Sequence, residues 1–152
     1  MSAPCPRGFT LVELLVVLAI AALLMTAVPG LFSAAFPGLE LKSAARRTAA
    51  TLTLARETAI RGGRDVRLLV DIEARRLDLE GYRALQLPER LEIRLDAAAR
   101  ELIDDRRGGI RFFPDGSSTG GRIVLSSGER GYQVGVNWLT GRIRMAPLEE
   151  EP

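Results

Sequence analysis

The sequence predicts an α+β protein in which a long N-terminal helix packs on antiparallel β-sheets. Three observations lead to this prediction. An apolar run extends from Phe9 to Val28, small and apolar residues follow at helical spacing after Leu39, and apolar and polar residues alternate with period two after Gly63. With 152 residues, the chain has room for one modest domain beyond the apolar run.

The composition excludes several kinds of chemistry. The chain has no histidine, and its one cysteine, Cys5, precedes the apolar run. Disulfide frameworks, zinc sites and catalytic pairs that need histidine are therefore not expected. The 21 basic and 19 acidic residues are spread along the chain and leave a net charge of +2, which makes nucleic acid an unlikely partner. We expect no metal, no cofactor and no catalysis.

The apolar run is compatible with more than one kind of N-terminal segment. Its three polar residues are Thr10, Glu13 and Thr26. Twenty helical residues at ~1.5 Å each span the ~30 Å of a bilayer core, so a plain anchor fits the length. Such an anchor leaves Glu13 unexplained, at a cost of roughly 2.5 to 3.5 kcal/mol near the bilayer centre. A cleavable secretory signal could use Arg7 as its basic region, but its apolar region would continue past a cut at residues 19–21.

A third reading depends on the boundary before the run, where Arg7-Gly8 is followed directly by Phe9-Thr10-Leu11-Val12-Glu13. This stretch resembles the class III signal of type IV prepilins and type II secretion pseudopilins. The resemblance implies that a prepilin peptidase cuts between Gly8 and Phe9 and N-methylates Phe9, which leaves the apolar run on the mature protein. It also implies that Glu13, the fifth mature residue, acts in assembly. A buried carboxylate is tolerated when paired, and the terminal amine of a neighbouring subunit can supply the cation.

Helix signals continue after the apolar run. Pro29-Gly30 and Pro37-Gly38 predict a kink or a locally melted stretch, because proline lacks a backbone donor and clashes with the preceding turn. Helical spacing then resumes up to a stop at Gly62-Gly63. One face is expected to pack on the sheet through Leu41, Ala45, Thr48, Leu52, Ala55 and Ala59.

Strand signals fill the rest of the chain. Alternation predicts strands near residues 66–70, 77–79, 91–95, 110–113 and 122–126. Tyr132, Val134, Val136 and Trp138 share one face of a further strand, and Leu139-Thr140-Gly141 forms a turn into a terminal hairpin with 142–145. The stretch Ala97 to Arg107 could be a short helix or an extended connection.

Two C-terminal segments carry a second resemblance. IRFFPDGSSTGGRIVL and YQVGVNWLTGRIRM resemble the C-terminal region of the H-type minor pseudopilins of type II secretion, the family of general secretion pathway protein H, and of related minor pilins. The fold implied is type IV pilin-like. The organisation implied is a class III leader at 1–8, a transmembrane and assembly helix at 9–28, a kinked continuation at 29–63, a periplasmic β-rich domain at 64–147 and a disordered tail at 148–152.

The resemblance also implies a function. The chain would be a structural minor pseudopilin of the type II secretion pseudopilus, assembled near its tip to support protein export. It would sit in the bacterial inner membrane as a single-pass protein with a cytoplasmic N-terminus and a periplasmic body. Its partners would be other minor and major pseudopilins, prepilin peptidase and the inner-membrane assembly platform. The alternative is a minor pilin of a type IV pilus with a DNA-binding role in uptake.

The same C-terminal segments allow two chemical interpretations that we do not favour. Asp115-Gly116-Ser117-Ser118 could suggest a calcium loop or a serine nucleophile, but calcium needs six to eight oxygens and the serine lacks a histidine base. A Gly-rich turn is the simpler interpretation. Tyr132 and Trp138 could stack nucleic-acid bases near Arg142 and Arg144. Because these aromatic residues alternate in phase with two valines, we instead expect them on the buried face of the terminal hairpin.

Overall fold

The computed structural model describes residues 10–35, 37–98, 101–104 and 106–148. It divides into two compact units, the first ending at Pro37 and the second beginning at Gly38. The predicted leader at 1–8, the predicted N-terminal residue Phe9 and most of the predicted tail, residues 149–152, lie outside the described residues. The second unit is called the body below.

Helix α1 (Leu11–Ala35) forms the described part of the first unit. It runs through Pro29-Gly30, so local melting at that dipeptide, one of the two predicted outcomes, is wrong, and the other, a kink, stays a prediction. A helix interior can hold one proline because only one backbone donor is lost and the flanking turns keep their own hydrogen bonds. Within the described ranges, no helix is both long enough and apolar enough to cross a membrane.

Helix α2 (Pro37–Gly62) starts at the second predicted break. Proline suits the first helical turn, where its missing donor would have no partner anyway. Residue 36 lies outside the described residues, so the predicted kink at Pro37-Gly38 stays a prediction. Gly63 follows with φ of 59°, which confirms the predicted stop. The predicted packing face is also confirmed, since its six residues are at most 1% exposed: Leu41, Ala45, Thr48, Leu52, Ala55 and Ala59.

Nine strands occur within the described residues, and every pairing between them is antiparallel. In chain order they are β1 (Val66–Asp71), β2 (Arg76–Leu79), β3 (Leu85–Gln86), β4 (Glu92–Ala97), β5 (Leu102–Asp104), β6 (Arg107–Phe112), β7 (Gly121–Ser127), β8 (Arg130–Val136) and β9 (Ile143–Pro147). One sheet has the order β3-β2-β1-β6-β5, and the other has the order β4-β7-β8-β9. The predicted α+β architecture is therefore confirmed.

A single hydrophobic cluster joins α2 to both sheets. The alternating residues of β1, Val66, Leu68 and Val70, are buried as the period-two pattern predicted. Phe112 of β6 is the largest side chain that is fully buried. Alanines make up much of the contribution of α2 to this cluster, and the strands supply most of the larger side chains.

Within the ambiguous stretch Ala97 to Arg107, a 3₁₀ turn at Glu101 precedes an extended segment. Leu102–Asp104 forms β5 and pairs with β6, with Leu102 opposite Gly108. The absence of a side chain on Gly108 leaves room for Leu102, whose Cδ2 would lie 3.0 Å from a Cβ at that position. Pairing with a neighbouring strand therefore decided between two local preferences that the sequence left open.

Candidate functional site

The predicted N-terminal site is described from Thr10 onward, and Gly8 and Phe9 lie outside the described residues. Thr10 stands immediately before α1 and caps it. Its Oγ1 accepts a hydrogen bond from the backbone N–H of Glu13 at 3.2 Å, and its carbonyl accepts one from the N–H of Leu14 at 3.2 Å. Glu13 is therefore an exposed acid in the first turn, where the helix dipole favours negative charge.

This geometry gives Glu13 a local role that the sequence prediction did not include. Thr-x-x-Glu at a helix start is the pattern of a capping box, in which the first residue binds the backbone N–H of the fourth. The sequence Thr10-Leu-Val-Glu13 carries that signal. A carboxylate at this position stabilises the start of the helix without a second subunit, and the role of Glu13 in assembly stays a prediction.

The two C-terminal signature segments meet at one end of the body. We call residues 113–121, which follow β6, together with residues 137–142, which connect β8 to β9, the loop cluster. Within the first loop, the backbone N–H and the hydroxyl of Ser117 both donate to Oδ1 of Asp115, at 2.9 and 2.6 Å. These bonds, with the hydroxyl first, hold the pKa of Asp115 below its ordinary value. The serine hydroxyl therefore serves as a turn donor.

Ser118 joins the two loops. Its backbone N–H donates to the carbonyl of Trp138 at 2.8 Å, and its Oγ donates to the carbonyl of Asn137 at 3.2 Å. The same Oγ accepts the backbone N–H of Gly120 at 3.0 Å. Because Ser118 is buried, these bonds form away from competing water and fix the loops against each other.

Asn137 organises the second loop. Its Oδ1 accepts the backbone N–H groups of Leu139 and Thr140, at 3.1 and 2.9 Å, and the hydroxyl of Thr140 at 3.0 Å. Its carbonyl also accepts the N–H of Gly141 at 2.9 Å. Asparagine is suited to such turns because its short amide reaches backbone donors two and three residues ahead.

Arg56 of α2 connects the helix to both loops. Its Nε donates to the carbonyl of Gly116 at 3.1 Å, and its Nη2 donates to the carbonyl of Thr140 at 3.3 Å. The sequence prediction missed this residue because its partners lie 60 and 84 positions away along the chain. From sequence alone, an arginine in a helix is expected to be a solvent-exposed charge. The role of Arg56 becomes visible only when α2 packs next to the two loops.

Trp138 is where the sequence prediction of the hairpin fails. Strand β8 ends at Val136, so the alternation does not continue to Trp138, whose side chain is 65% exposed. Tyr132, in contrast, is half-buried and packs against the core, as predicted. The two aromatic residues therefore form no common stacking face. Trp138 and its neighbour Leu139 are displayed on a turn whose backbone is held by Ser118, Asn137 and Arg56.

A buried carboxylate, Glu101, forms a second polar site in the body. Nε of Arg111 donates to its Oε1 at 3.0 Å, and Nε of Arg67 lies 3.0 Å from Oε2 as an ion-pair contact without hydrogen-bond geometry. The hydrogen bond to Glu101 is the main reason that the pKa of Arg111 lies above its ordinary value. Two cations on one buried acid indicate a structural role, holding the start of β5 against β1 and β6.

The described residues offer no arrangement that would hold a metal. Among them, no group of three or more acidic, cysteine or histidine side chains converges on one point. The loop cluster presents two exposed apolar side chains, Trp138 and Leu139, on a turn that is held by hydrogen bonds. Arg142 and Arg144 follow in the sequence and are also exposed. Such a surface fits contact with another macromolecule better than conversion of a small molecule.

The protein-family comparison identifies two segments of the chain. The family described as type II transport protein GspH matches residues 44–141, which run from α2 to Gly141 in the loop cluster. The prokaryotic N-terminal methylation motif matches residues 5–29 and so includes the predicted cleavage site and Glu13.

Individual relatives agree with the family. The chain is 37% identical over 142 residues to type II secretion system protein H of Xanthomonas campestris pv. campestris, covering 93% of this chain and 84% of that protein. The minor pseudopilin EpsH of Vibrio cholerae matches with TM-score 0.57 at 18% identity, over 70% of this chain and 96% of that one. The type IV minor pilin FimU of Pseudomonas aeruginosa matches with TM-score 0.55 at 18% identity, over 71% and 89%.

Structural similarity identifies the fold of this chain, whereas sequence similarity identifies its family. The structural likeness to EpsH and to FimU is similar in extent and shows a shared pilin-like fold. The family match and the 37% identity distinguish between the two systems, and both indicate type II secretion. The chain belongs to the GspH family of type II transport proteins.

Proposed function

We propose that the chain is cut between Gly8 and Phe9 by prepilin peptidase, methylated at Phe9, and assembled near the tip of the pseudopilus as a structural subunit without catalytic activity. One observation carries this proposal. The methylation motif over residues 5–29 and the GspH match over 44–141 follow each other on a single chain. This order supports the proposal, because a processing signal is expected directly before the helix and body of a secretion subunit.

The proposal assigns the stretch from Phe9 to Val28 as the membrane anchor before assembly and as filament core afterwards. Its sequence supports this, since only three of its residues are polar. The side chains from Leu11 to Leu23 are all exposed in the structure, and a helix that is apolar on all sides needs cover from lipid or from other helices. The N-terminus would then be cytoplasmic and the body periplasmic.

The partners in this proposal are other minor pseudopilins, the major pseudopilin, prepilin peptidase and the inner-membrane assembly platform. Glu13 would be the assembly residue. Its carboxylate would pair with the methylated amine of Phe9 in a neighbouring subunit, which offsets the cost of removing both charges from water. Its place in the first turn of α1 supports this, because it holds the carboxylate near the cytoplasmic end of the helix.

Intact mass spectrometry of the membrane-bound protein tests the processing step. We expect a chain that begins with N-methylphenylalanine at Phe9. A chain that begins at Met1, or one cut beyond Ala21, would contradict the proposal. A Gly8→Leu variant should keep its leader and remain unmethylated.

Two variants separate the assembly role of Glu13 from its capping role. Glu13→Gln keeps a residue that capping boxes accept but removes the charge, so it should abolish incorporation into pseudopili while α1 stays helical. Thr10→Ala removes the cap, at a cost of about 1 kcal/mol to the helix start, and should leave most assembly intact. Exoprotein secretion and recovery of the subunit from sheared pseudopili provide the measurements. Wild-type secretion by Glu13→Gln would refute the assembly role.

The alternative, a DNA-binding minor pilin of a type IV pilus, is not favoured. The likeness to FimU shows the fold alone, and the family match and the closer sequence relative both belong to type II secretion. The aromatic platform that would have supported DNA binding is also missing, because Tyr132 packs against the core while Trp138 is exposed.

A further inference from the structure

The loop cluster displays two large apolar side chains that its own fold does not use. Trp138 and Leu139 are 65% and 62% exposed. They lie on a turn whose backbone N–H groups donate to Oδ1 of Asn137 and whose carbonyls accept hydrogen bonds from Ser118 and Arg56. Because the turn is already ordered, contact with a partner would cost little conformational entropy there. Tryptophan in such a setting is the residue type most enriched among strong interface contacts.

Two arginines lie next to this apolar pair. Arg142 and Arg144 are exposed, and neither forms an ion pair with a residue that the structure describes. They line two grooves, of about 430 Å³ over β8 and about 420 Å³ between β9 and α2. Arg56 adds a third cation to the second groove, and the carboxylate there, Glu57, is engaged with Arg61 at 3.2 Å.

The outer face of the sheet is open next to these arginines. Gly135 lies between Arg122 on β7 and Arg144 on β9 in the strand register, and a Cβ at Gly135 would meet nothing within 4 Å. Arg122 is paired with Asp96 at 3.1 Å, so it is already neutralised. The positive charge without an ion-pair partner among the described residues is therefore that of Arg144 on β9. A carboxylate can approach it over the backbone of Gly135, which has no side chain.

We propose that the loop cluster, with Arg142 and Arg144, is the docking surface for another pseudopilin that presents carboxylates beside an apolar side chain. The apolar part packs on Trp138 and Leu139, and the carboxylates enter the arginine-lined grooves. Charge complementarity selects an acidic occupant, and the neighbours that such a subunit meets in a filament are other pseudopilins. This inference rests on the proposed function and specifies which face of the body is used.

Nucleic acid is the other polyanion that such arginines could attract. Single-strand binding surfaces combine a continuous basic groove with several aromatic residues for stacking. Here one exposed tryptophan stands alone, and Asp115 and Glu57 place negative charge on the same loops and helix. These acids interrupt the continuous basic track that a phosphate backbone needs, whereas a single carboxylate on a protein surface can reach Arg142 or Arg144 individually, so an acidic protein surface fits better.

Site-specific photo-crosslinking in cells that carry the full type II secretion system tests the proposal. Benzoylphenylalanine replaces Leu139 in the full-length chain, and adducts are identified by mass spectrometry. We expect an adduct to another pseudopilin, and we expect Arg142→Glu with Arg144→Glu to reduce it roughly tenfold. The matched control is Arg94→Glu. Arg94 is likewise exposed and without an ion pair among the described residues, on β4 at the opposite edge of the same sheet, and its replacement should leave the adduct within about twofold.

Charge reversal on the partner completes the test. Once the partner peptide is known, replacing its acidic residue by arginine should restore the adduct in the Arg142→Glu, Arg144→Glu chain. Adducts only to nucleic acid, to an exported protein or to the chain's own residues would overturn the inference, as would an adduct insensitive to Arg142 and Arg144. Two controls show whether the proposed function fails as well: the chain should still begin with N-methyl-Phe9, and secretion should still require this subunit. If both hold, only the docking inference fails and the proposed function stands.

Discussion

Helices α1 and α2 are similar in length, yet they treat their apolar residues in opposite ways. In α1, every side chain from Leu11 to Leu23 is exposed. In α2, a stripe of leucine, alanine and threonine from Leu41 to Ala59 is at most 1% exposed, and its leucines and alanines belong to the same hydrophobic cluster as residues of both sheets. Burial of one large aliphatic side chain contributes roughly 1.5 to 3 kcal/mol to stability. This burial in α2 stabilises the body, whereas the apolar side chains of α1 stay exposed and remain available for contact with a lipid or a neighbouring subunit.

The largest effect is expected when a buried apolar side chain of the body and an exposed one of α1 are each shortened to alanine. The contrast between α1 and the body would be wrong if both changes had the same effect on stability. Phe112→Ala removes a fully buried ring, and we expect it to lower the free energy of unfolding of the body by about 3 to 5 kcal/mol. Leu15→Ala in α1 should leave that quantity unchanged, because Leu15 is 57% exposed. Urea unfolding of the detergent-solubilised chain, followed by circular dichroism, measures both. Equal losses would show that α1 contributes to the stability of the body.

A pair of glycine variants sharpens the comparison within the body, between the loop cluster and an open turn. Gly141 has φ of 60°, and a Cβ there would collide with the carbonyl of Gly116 in the other loop. Gly81 has φ of 81°, with open space around it. We expect Gly141→Ala to cost roughly 2 to 4 kcal/mol and Gly81→Ala only about 1 kcal/mol of backbone strain.

Thermal unfolding and amide hydrogen exchange distinguish these glycine variants. Gly141→Ala should speed exchange at the amides of Ser118 and Gly120, since the two loops must separate. Gly81→Ala should leave those amides protected. If the two variants were equally mild, the close contact between the loops would not be required by the fold.

The smallest predicted effect concerns pH and the first loop. Hydrogen bonds from Ser117 lower the pKa of Asp115 in the folded chain. A lowered pKa means that the stabilising contribution is fully present above the unfolded value of about 3.9 and is lost as the pH falls through the folded value. Ser117→Ala should move the pKa of Asp115 back up, as measured by NMR titration of its side chain. A titration midpoint unchanged by Ser117→Ala would show that the hydroxyl bond is not formed in solution.

Much of the body could be predicted because its signals are local. Helix and strand periods are visible between residues that are only four or two positions apart. These short-range signals predicted the buried stripe of α2, its stop at Gly62-Gly63 and the alternation in β1. The loop residues of the two signature segments were also recognised in advance. Their arrangement was not, because Arg56 and Ser118 act on partners far away in the sequence.

Two predictions failed because a local signal was interpreted without its surroundings. Trp138 was expected to be buried because it continued the alternation of β8, but the strand ends two residues earlier, where Asn137 starts the turn. Pro29-Gly30 was expected to cause a kink or local melting; the helix continues through it, so melting is wrong and the kink stays a prediction. At Trp138 a pattern was extended past the point where hydrogen bonding changes, whereas at Pro29-Gly30 the hydrogen bonds of the flanking turns outweighed a break signal.

The sequence by itself determined the order of the segments, the amphipathic face of α2 and the family, since these depend on short-range periodicity and on contiguous motifs. Only the tertiary structure decided that Glu101 is buried between two arginines, that Leu102–Asp104 forms a strand, and that Arg56 joins the two loops next to an exposed Trp138. Those outcomes depend on strand pairing and on contacts between residues that are distant in the chain, and no local pattern encodes which of several compatible partners a side chain will meet.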